Sequence, residues 1–296
     1  MGNKERMSYA KVRVAYDIET TNYRDGDVKK TVVYSHAFCV DGVVSRYRTW
    51  EEADAFFRKL ISDNAGNTVV VFVHNLPFEF QFLKNRFRWT DVFAIADRHK
   101  VVRARAEGIE FRCTLALTNK SLAAVGKEVG IPKLKGDLDY GLIRHPETPL
   151  SQEEINYIDN DVLIIDELIR QRLQNDTIAN LPMTKTGYVR RRVRSAVRKD
   201  CEAADLIADL HMTTEDYLMA RRVFSGGYTH ANAAFSGRVV ENVTPFDLAS
   251  AYPAILVREF FPMTSFVDVD PEYITEERLG EMAFMLDVTL EDAECN

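Results

Sequence analysis

The stretch KVRVAYDIETT, Lys11–Thr21, is a run of alternating apolar residues that leads into two carboxylates placed one residue apart. The alternation up to Tyr16 predicts a β-strand, in which residues i and i+2 point to the same face. Asp17 and Glu19 are therefore expected to direct their side chains into one small volume where the strand ends. Two like charges this close resist ionisation unless a cation neutralises them. The pair indicates either a metal site or a solvated strand end.

The Asp-x-Glu spacing alone does not choose between these interpretations. It also occurs at Asp200–Glu202, Asp270–Glu272 and Asp292–Glu294, all in polar surroundings. Only the pair that begins at Asp17 follows a β-branched apolar run. The rest of the chain has to decide.

Composition bounds the class of protein. A chain of 296 residues, 46% hydrophobic and 28% charged, has room for one large or two ordinary globular domains. No apolar run approaches membrane-spanning length and the start lacks a signal-peptide pattern, so no membrane partner is expected. The four cysteines have neither disulfide-framework nor metal-ligand spacing, which favours a reducing, cytoplasmic compartment.

Charge is distributed unevenly. A net charge of −7 argues against a protein that coats nucleic acid over its whole surface. The segment Lys185–Lys199, however, carries seven basic side chains and no acid. Like charges at helical spacing repel one another, so contacts to phosphate are favoured over a merely solvated helix face.

The first 180 residues alternate between strand and helix patterns, which predicts an α/β domain. The predicted strands are 12–16, 31–40, 42–50 and 67–76, and the predicted helices are 51–63, 77–87, 121–130 and 151–174. A hairpin is expected to turn at Glu107–Gly108. The last helix has the clearest start, because Ser151 followed by Glu154 forms a capping box. Beyond Asn180 further helices are expected, and the pattern becomes strand-like after residue 223.

Two more segments carry acids at informative positions. Asn75 and Glu79 follow a buried-strand pattern, at the sheet edge expected for Asp17, although a lone Glu in a first helical turn also suits the helix dipole. Tyr157 and Asp161 are four apart on the capped helix and share a face.

Asp161 borders the apolar stripe of that helix, where an acid is costly unless it is paired or metal-bound. The alternative places Asp159, Asp161 and Asp166 on the solvent side. Four converging carboxylates can hold two divalent cations that activate water and stabilise a departing phosphodiester oxygen. Tyr157 would hold the attacking water, which makes a nuclease site without histidine.

Seven short motifs, in this order, resemble those of family B DNA polymerases of the protein-primed branch found in phages and linear plasmids. They are DIET, HNLPFEFQF, KSLAAVG, LKGDLDY, YIDND, FSGGYTH and FDLASAYP, between residues 12 and 262. The resemblance implies a ribonuclease H-like 3′–5′ proofreading exonuclease domain over residues 1–180. It also implies linker helices and an incomplete polymerase palm over residues 181–296.

For the exonuclease, the resemblance implies two Mg²⁺ or Mn²⁺ ions held by Asp17, Glu19, Glu79 and Asp161. Glu79 stands where the family usually has Asp. Tyr157 would orient the nucleophilic water, and Lys135 would stabilise charge at the scissile phosphate. The residues that match positions gripping a single-stranded 3′ end are Thr20, Asn75, Phe78, Ser121 and Leu122.

For the polymerase, Gly226 and Gly227 match positions that approach the template, although Phe224 replaces the usual tyrosine of that motif. Three further residues match the first polymerase motif: Asp247 as a metal ligand, the Leu248 carbonyl beside it, and Tyr252 as the residue that rejects a 2′-hydroxyl.

The second catalytic carboxylate motif of a palm, Tyr-x-Asp-Thr-Asp-Ser, and a lysine-bearing fingers helix are missing from the rest of the sequence, residues 262–296. The expected partners are therefore single-stranded DNA 3′ ends and primer–template DNA. Deoxynucleotides are a further expected partner if a longer chain or a separate C-terminal half completes the polymerase. A priming protein is the last expected partner. The expected setting is the cytoplasm of a phage-infected bacterium.

Two other functions are compatible with the acids. A free-standing DEDD-type 3′–5′ exonuclease would share them but gives no reason for SGGYTH and FDLASAYP. A non-catalytic DNA-binding fragment would keep the carboxylates only as part of its structure.

Overall fold

The computed structural model describes residues 7–95, 100–134, 142–224, 232–259 and 261–286. The chain divides into two compact units, residues 1–192 and residues 193–296. The functional domains expected at 1–180 and 181–296 stay a prediction.

The secondary structure of the described residues comprises seven strands and ten α-helices. The strands are β1 (Val14–Asp25), β2 (Val28–Val40), β3 (Val43–Tyr47), β4 (Val69–Val73), β5 (Trp89–Ile95), β6 (Lys100–Ala106) and β7 (Ile109–Cys113). The helices are α1 (Trp50–Asp63), α2 (Leu76–Leu83), α3 (Thr114–Thr118), α4 (Leu122–Val129), α5 (Gln152–Arg172), α6 (Lys185–Val197), α7 (Cys201–Asp209), α8 (Thr214–Val223), α9 (Ala251–Arg258) and α10 (Glu276–Leu279). Short 3₁₀ turns lie at Ala233–Phe235 and Pro271–Tyr273. None of the described helices is both long and apolar enough to cross a membrane.

The first unit is built on one mixed seven-stranded sheet with the order β3-β2-β1-β4-β7-β6-β5. The central pairs β1·β4 and β4·β7 are parallel, and the remaining pairs are antiparallel. Ala106 pairs with Ile109, so the predicted hairpin turn at Glu107–Gly108 is confirmed. The α/β class is confirmed as well.

The sheet buries both of its faces. On one face, Tyr16 belongs to a core cluster with Phe57 of α1 and Leu76 of α2. On the other face, Ala15 belongs to a second cluster with Val162 and other residues of α5. Because side chains alternate along a strand, Asp17 and Glu19 share the face of Ala15. They therefore lie on the side that α5 covers.

Helix α5 begins as the sequence predicted. The Ser151 hydroxyl accepts a hydrogen bond from the backbone N–H of Glu154 at 3.2 Å, and the Glu154 carboxylate accepts one from the Ser151 N–H at 2.7 Å. This reciprocal cap satisfies two N–H groups that have no partner inside the helix. It fixes the register in which α5 presents its residues to the sheet.

Strand β1 does not end at Asp17, and that expectation was wrong. The strand runs to Asp25 because β2 provides an antiparallel partner along its whole length, with a bulge between Glu19 and Thr20. Pairing with β4 stops at Tyr16, opposite Val73, where β4 itself ends. The two carboxylates therefore lie on a strand that is paired on only one side, beside the carboxyl end of β4.

The second unit is helical in its described part. No strand lies in residues 198–224, 232–259 or 261–286, so the strand-like pattern after residue 223 was misleading there. The β-branched residues Val239 and Val243 are exposed, with relative accessibilities of 95% and 68%. β-propensity expresses itself through packing and cross-strand neighbours, and the described residues offer none at these positions.

Candidate metal centre

Three of the predicted metal ligands meet on the α5 side of the sheet. One carboxylate oxygen each from Asp17, Glu19 and Asp161 lies within 4.8 Å of the others. Asp161 of α5 is buried, so the alternative that placed it in solvent is contradicted. Asp166 is also buried and pairs with Arg13 at 3.0 Å.

The fourth predicted ligand, Glu79, lies in the first turn of α2 and is only 3% exposed. Asn75 adopts the left-handed conformation with φ of 69°, which asparagine tolerates better than most residues. This residue occupies the N-cap position of α2, where the chain turns out of β4, and its side chain makes no capping hydrogen bond. The turn brings Glu79 close enough to Asp17 for the charge of Glu79 to act on that carboxyl group.

The acids perturb one another strongly. Burial raises the pKa of Asp17 well above its usual range, and the neighbouring charges of Glu79, Glu19 and Asp161 raise it further. Burial together with Asp161 raises the pKa of Glu19 to about 7, although Lys133 and Arg144 oppose the shift. Burial likewise raises the pKa of Glu79 to about 8. Without a metal cation, the cluster therefore retains protons at neutral pH.

Two buried carboxylate oxygens in the cluster lack hydrogen-bond partners among the described residues. They are Oδ1 of Asp161 and Oε2 of Glu79. Buried polar atoms are nearly always satisfied, so each such atom calls for a specific explanation. Oxygen donors are the ligands that Mg²⁺ and Mn²⁺ prefer. A divalent cation fits this donor set, because it would occupy the free oxygens and offset the clustered charge.

Tyr157 lies one turn of α5 before Asp161 and is partly buried. Burial raises the pKa of its phenol to about 12, against the effect of a hydrogen bond with Lys133. The hydroxyl thus stays protonated at neutral pH and is able to donate a hydrogen bond. This is the property that orienting a water molecule requires.

Sequence reasoning missed Lys133. Its ammonium pairs with Oδ2 of Asp161 and lies 4.5 Å from the centroid of the Tyr157 ring. The lysine that the motif implied, Lys135, falls outside the described residues. The sequence signal for Lys133 was its position two residues before Lys135. The hydrogen bonds of Asn160 with that segment are seen only in the structure.

The residues expected to grip a DNA 3′ end differ in their exposure and local contacts. Phe78 is 41% exposed and its ring lies 5.5 Å from that of Phe82. Thr20 follows the β1 bulge. Ser121 caps α4 by accepting a hydrogen bond from Ala124 at 3.3 Å. The remaining two are Asn75, which is exposed, and Leu122, which packs partly buried against α5. Their contacts with DNA stay predictions.

The predicted polymerase residues lie in the second unit. Asp247 is exposed in an irregular segment and joins no cluster of three possible metal ligands among the described residues. Leu248 is 81% exposed, and Tyr252 is 67% exposed at the start of α9. Gly226 and Gly227 lie outside the described residues. The roles of all five stay predictions.

The basic segment forms helix α6, as expected, and none of its side chains is fully buried. Arg191 pairs with Asp176 at 2.6 Å. The contact of this basic segment with phosphate stays a prediction.

Comparison with known proteins agrees with the motifs. No family model matches the chain. The chain is 22% identical over 286 residues to the DNA polymerase of Bacillus phage phi29, and 20% identical over 283 residues to that of Bacillus phage B103. Both alignments cover 88% of this chain and 47% of the relative, so the chain spans about half the length of the curated relatives it matches.

Solved structures show the same likeness in fold. Phi29 DNA polymerase complexed with primer-template DNA superposes with a TM-score of 0.57 at 18% identity, over 76% of this chain and 41% of that one. Its ternary complex with incoming nucleotide substrates gives 0.55 at 16% identity, over 77% and 41%. The predicted resemblance to protein-primed family B DNA polymerases of phages is therefore confirmed.

Proposed function

We propose that the first unit is a ribonuclease H-like 3′–5′ exonuclease that uses two metal ions to remove nucleotides from single-stranded DNA 3′ ends. The carrying observation is the convergence of Asp17, Glu19 and Asp161, with the carboxyl group of Glu79 near enough to Asp17 for their charges to interact. Two of the carboxylate oxygens are buried without partners. The mixed sheet and the likeness to phage polymerases support the fold assignment.

These four acids would hold Mg²⁺ or Mn²⁺, which supplies Lewis-acid activation of water and stabilises the departing oxygen. Tyr157 donates its phenolic hydrogen to hold the attacking water in line. Phe78 stacks on a terminal base, a contact that every base can make. Thr20, Asn75, Ser121 and Leu122 would bind the frayed strand around it. Such a site removes a mispaired nucleotide because only an unpaired end reaches it.

The test is digestion of a 5′-labelled single-stranded DNA with Mg²⁺. Asp161→Asn should lower the rate about a thousandfold or more, because the side chain loses its negative charge and one of its two oxygen donors. Asp159→Asn is the matched control, since Asp159 lies on the same helix but pairs with Arg46. It should digest DNA at the parent rate, and chelation with EDTA should stop both active proteins.

Three outcomes would redirect this assignment. Equal digestion by Asp161→Asn and the parent would remove the metal cluster from the reaction. No digestion by the parent would favour a non-catalytic DNA-binding role. A clear preference for RNA over DNA would favour a free-standing RNA-trimming exonuclease.

We further infer that residues 181–296 contribute the first part of a polymerase palm, with Asp247, the Leu248 carbonyl and Tyr252 at its nucleotide site. The support is the motif match and the span of about half of each relative, 47%. DNA-directed nucleotidyl transfer then needs the remaining palm and fingers, and initiation needs a priming protein. These reactions would take place in the cytoplasm of the host bacterium.

Primer extension tests this second inference. A separately expressed C-terminal half is mixed with the chain, a primer–template and deoxynucleotides. Extension that Asp247→Asn abolishes is the expected result, with Asp268→Asn as an exposed control. A stable complex that extends no primer would contradict it.

A further inference from the structure

The segment that carries Lys133 is built closely against helix α4. A Cβ atom at Gly126 would lie 2.5 Å from the carbonyl oxygen of Ile131 and 3.1 Å from the backbone nitrogen of Lys133. The Gly126 carbonyl also accepts a hydrogen bond from the Ile131 N–H at 2.9 Å. Only glycine leaves room for this approach. The backbone of Lys133 is thus anchored from the α4 side.

Helix α5 anchors the same segment from the other side. The side chain of Asn160, which is buried, accepts a hydrogen bond from the Leu134 N–H at 2.8 Å and donates one to the Pro132 carbonyl at 3.3 Å. Asn160 is the residue next to Asp161. These two bonds from the Asn160 side chain hold the backbone on both sides of Lys133, and so fix Lys133 beside a predicted metal ligand.

The side chain of Lys133 lies where a cation is needed. Its ammonium contacts Oδ2 of Asp161 and packs over the face of Tyr157, 4.5 Å from the ring centroid. The side-chain exposures of Lys133 and Asp161 are 23% and 7%. An ion pair sheltered in this way is screened less than a surface pair. Oδ1, the other oxygen of Asp161, has no partner among the described residues.

We propose that Lys133 is an internal counter-ion that competes with the divalent metal for Asp161: a metal ion bound at the free Oδ1 would repel the ammonium from Oδ2. This inference rests on the proposed metal site. The physical reason is that an ammonium and a divalent cation repel each other strongly at contact distance. The ion pair between Lys133 and Asp161 thereby stabilises the metal-free site and lowers its affinity for metal.

A purely structural ion pair would behave in the opposite way. If Lys133 only positioned Asp161, removing it would loosen the ligand and weaken metal binding. If it competes, removing it clears Oδ2 and strengthens metal binding. The direction of the change therefore separates the two roles.

The experiment measures Mn²⁺ affinity of the full chain by calorimetry and by the electron paramagnetic resonance signal of free Mn²⁺. Lys133→Met and Lys133→Gln should each bind Mn²⁺ roughly tenfold more tightly than the parent. Their metal-free melting temperatures should fall, because Asp161 loses its partner, and the rise on adding Mn²⁺ should grow. Lys127→Met, which removes an exposed lysine of α4, should match the parent.

Unchanged or weaker Mn²⁺ binding by both variants, with native circular dichroism, would overturn the competition. Asp161→Asn shows which proposal has failed. If that variant loses the Mn²⁺ binding that the parent has, the metal site stands and only the role of Lys133 is wrong. If neither the parent nor the Lys133 variants bind Mn²⁺ through Asp161, both proposals fail.

Discussion

The two units of the chain use similar local signals and reach different degrees of burial. Helix α5 in the first unit and helix α8 in the second both begin with a complete capping box. Yet α5 buries nine of its residues, whereas no side chain is fully buried in residues 193–224, 232–259 and 261–286. Capping is enough to start a helix in either unit. Among the described residues, helices bury a face only in the first unit, where the sheet and the helices packed on it provide a surface.

The same difference separates the two groups of acids. Asp17 lies in a strand between β2 and the end of β4, and α5 brings Asp161 against it. Asp247 also has apolar neighbours in sequence, Phe246 and Leu248, but it is exposed and no described element covers it. Burial and neighbouring charges shift the pKa of a carboxylate, so a carboxylate acquires a perturbed pKa only where the fold packs other groups around it. The largest difference between the two units is therefore expected when a packed side chain is truncated.

Truncating a core aromatic should affect the first unit most. Phe111 is fully buried, and its ring centroid lies 5.4–5.8 Å from those of Phe57, Phe87 and Trp89. Phe111→Ala should lower the free energy of unfolding by about 3–5 kcal/mol. Val257→Ala in the second unit, where the side chain is 86% exposed, should change it by less than about 0.5 kcal/mol.

Urea unfolding followed by far-ultraviolet circular dichroism measures both changes. A loss for Val257→Ala as large as that for Phe111→Ala would break the comparison, because it would mean that α9 is packed in solution.

Acid should destabilise the first unit through His36. Burial, helped by Arg86, lowers the pKa of this histidine from its usual 6.5 to about 4, and its Nδ1 bonds the Tyr16 hydroxyl at 2.9 Å. The folded protein keeps the ring neutral, while the unfolded chain takes up a proton below pH 6.5. Stability from this group is therefore present above pH 6.5 and is lost as the pH falls towards 4, by about 2–3 kcal/mol.

Tryptophan fluorescence follows this loss selectively, because both tryptophans, Trp50 and Trp89, belong to the first unit. The buried acids contribute in the opposite direction, so the quantity to compare is the parent minus His36→Gln. His145→Gln, an exposed histidine, should keep the parent profile. Parallel profiles for the parent and His36→Gln would show that His36 does not carry the effect.

The smallest effects are expected at the matched helix caps. Ser151→Ala should cost about 1 kcal/mol of unfolding free energy, because α5 is part of the core and loses a cap. Thr213→Ala removes the equivalent cap of α8 and should reduce helical signal without moving the main transition. Ser151→Gly should cost only a few tenths of a kcal/mol. Equal shifts of the main transition for both alanine variants would mean that the two units unfold together.

Much of the first unit was determined by local sequence. The capping box at Ser151, the turn at Glu107–Gly108 and the i, i+2 pairing of Asp17 with Glu19 were predictable because each depends on neighbours a few residues apart. The strand-like pattern after residue 223 shows the limit of such signals. Its β-branched residues favour a strand only when another strand lies beside them.

Tertiary structure alone decided how the acids meet. The sequence could not show that β1 outruns β4 by nine residues, from Asp17 to Asp25, and so opens the sheet beside Asp17. Nor could it show that Asn160 fixes Lys133 on Asp161, since two side-chain bonds across 26 and 28 residues leave no periodicity. Periodicity records which face a residue occupies. The partner across that face is set by long-range packing, where burial and charge are balanced over the whole domain.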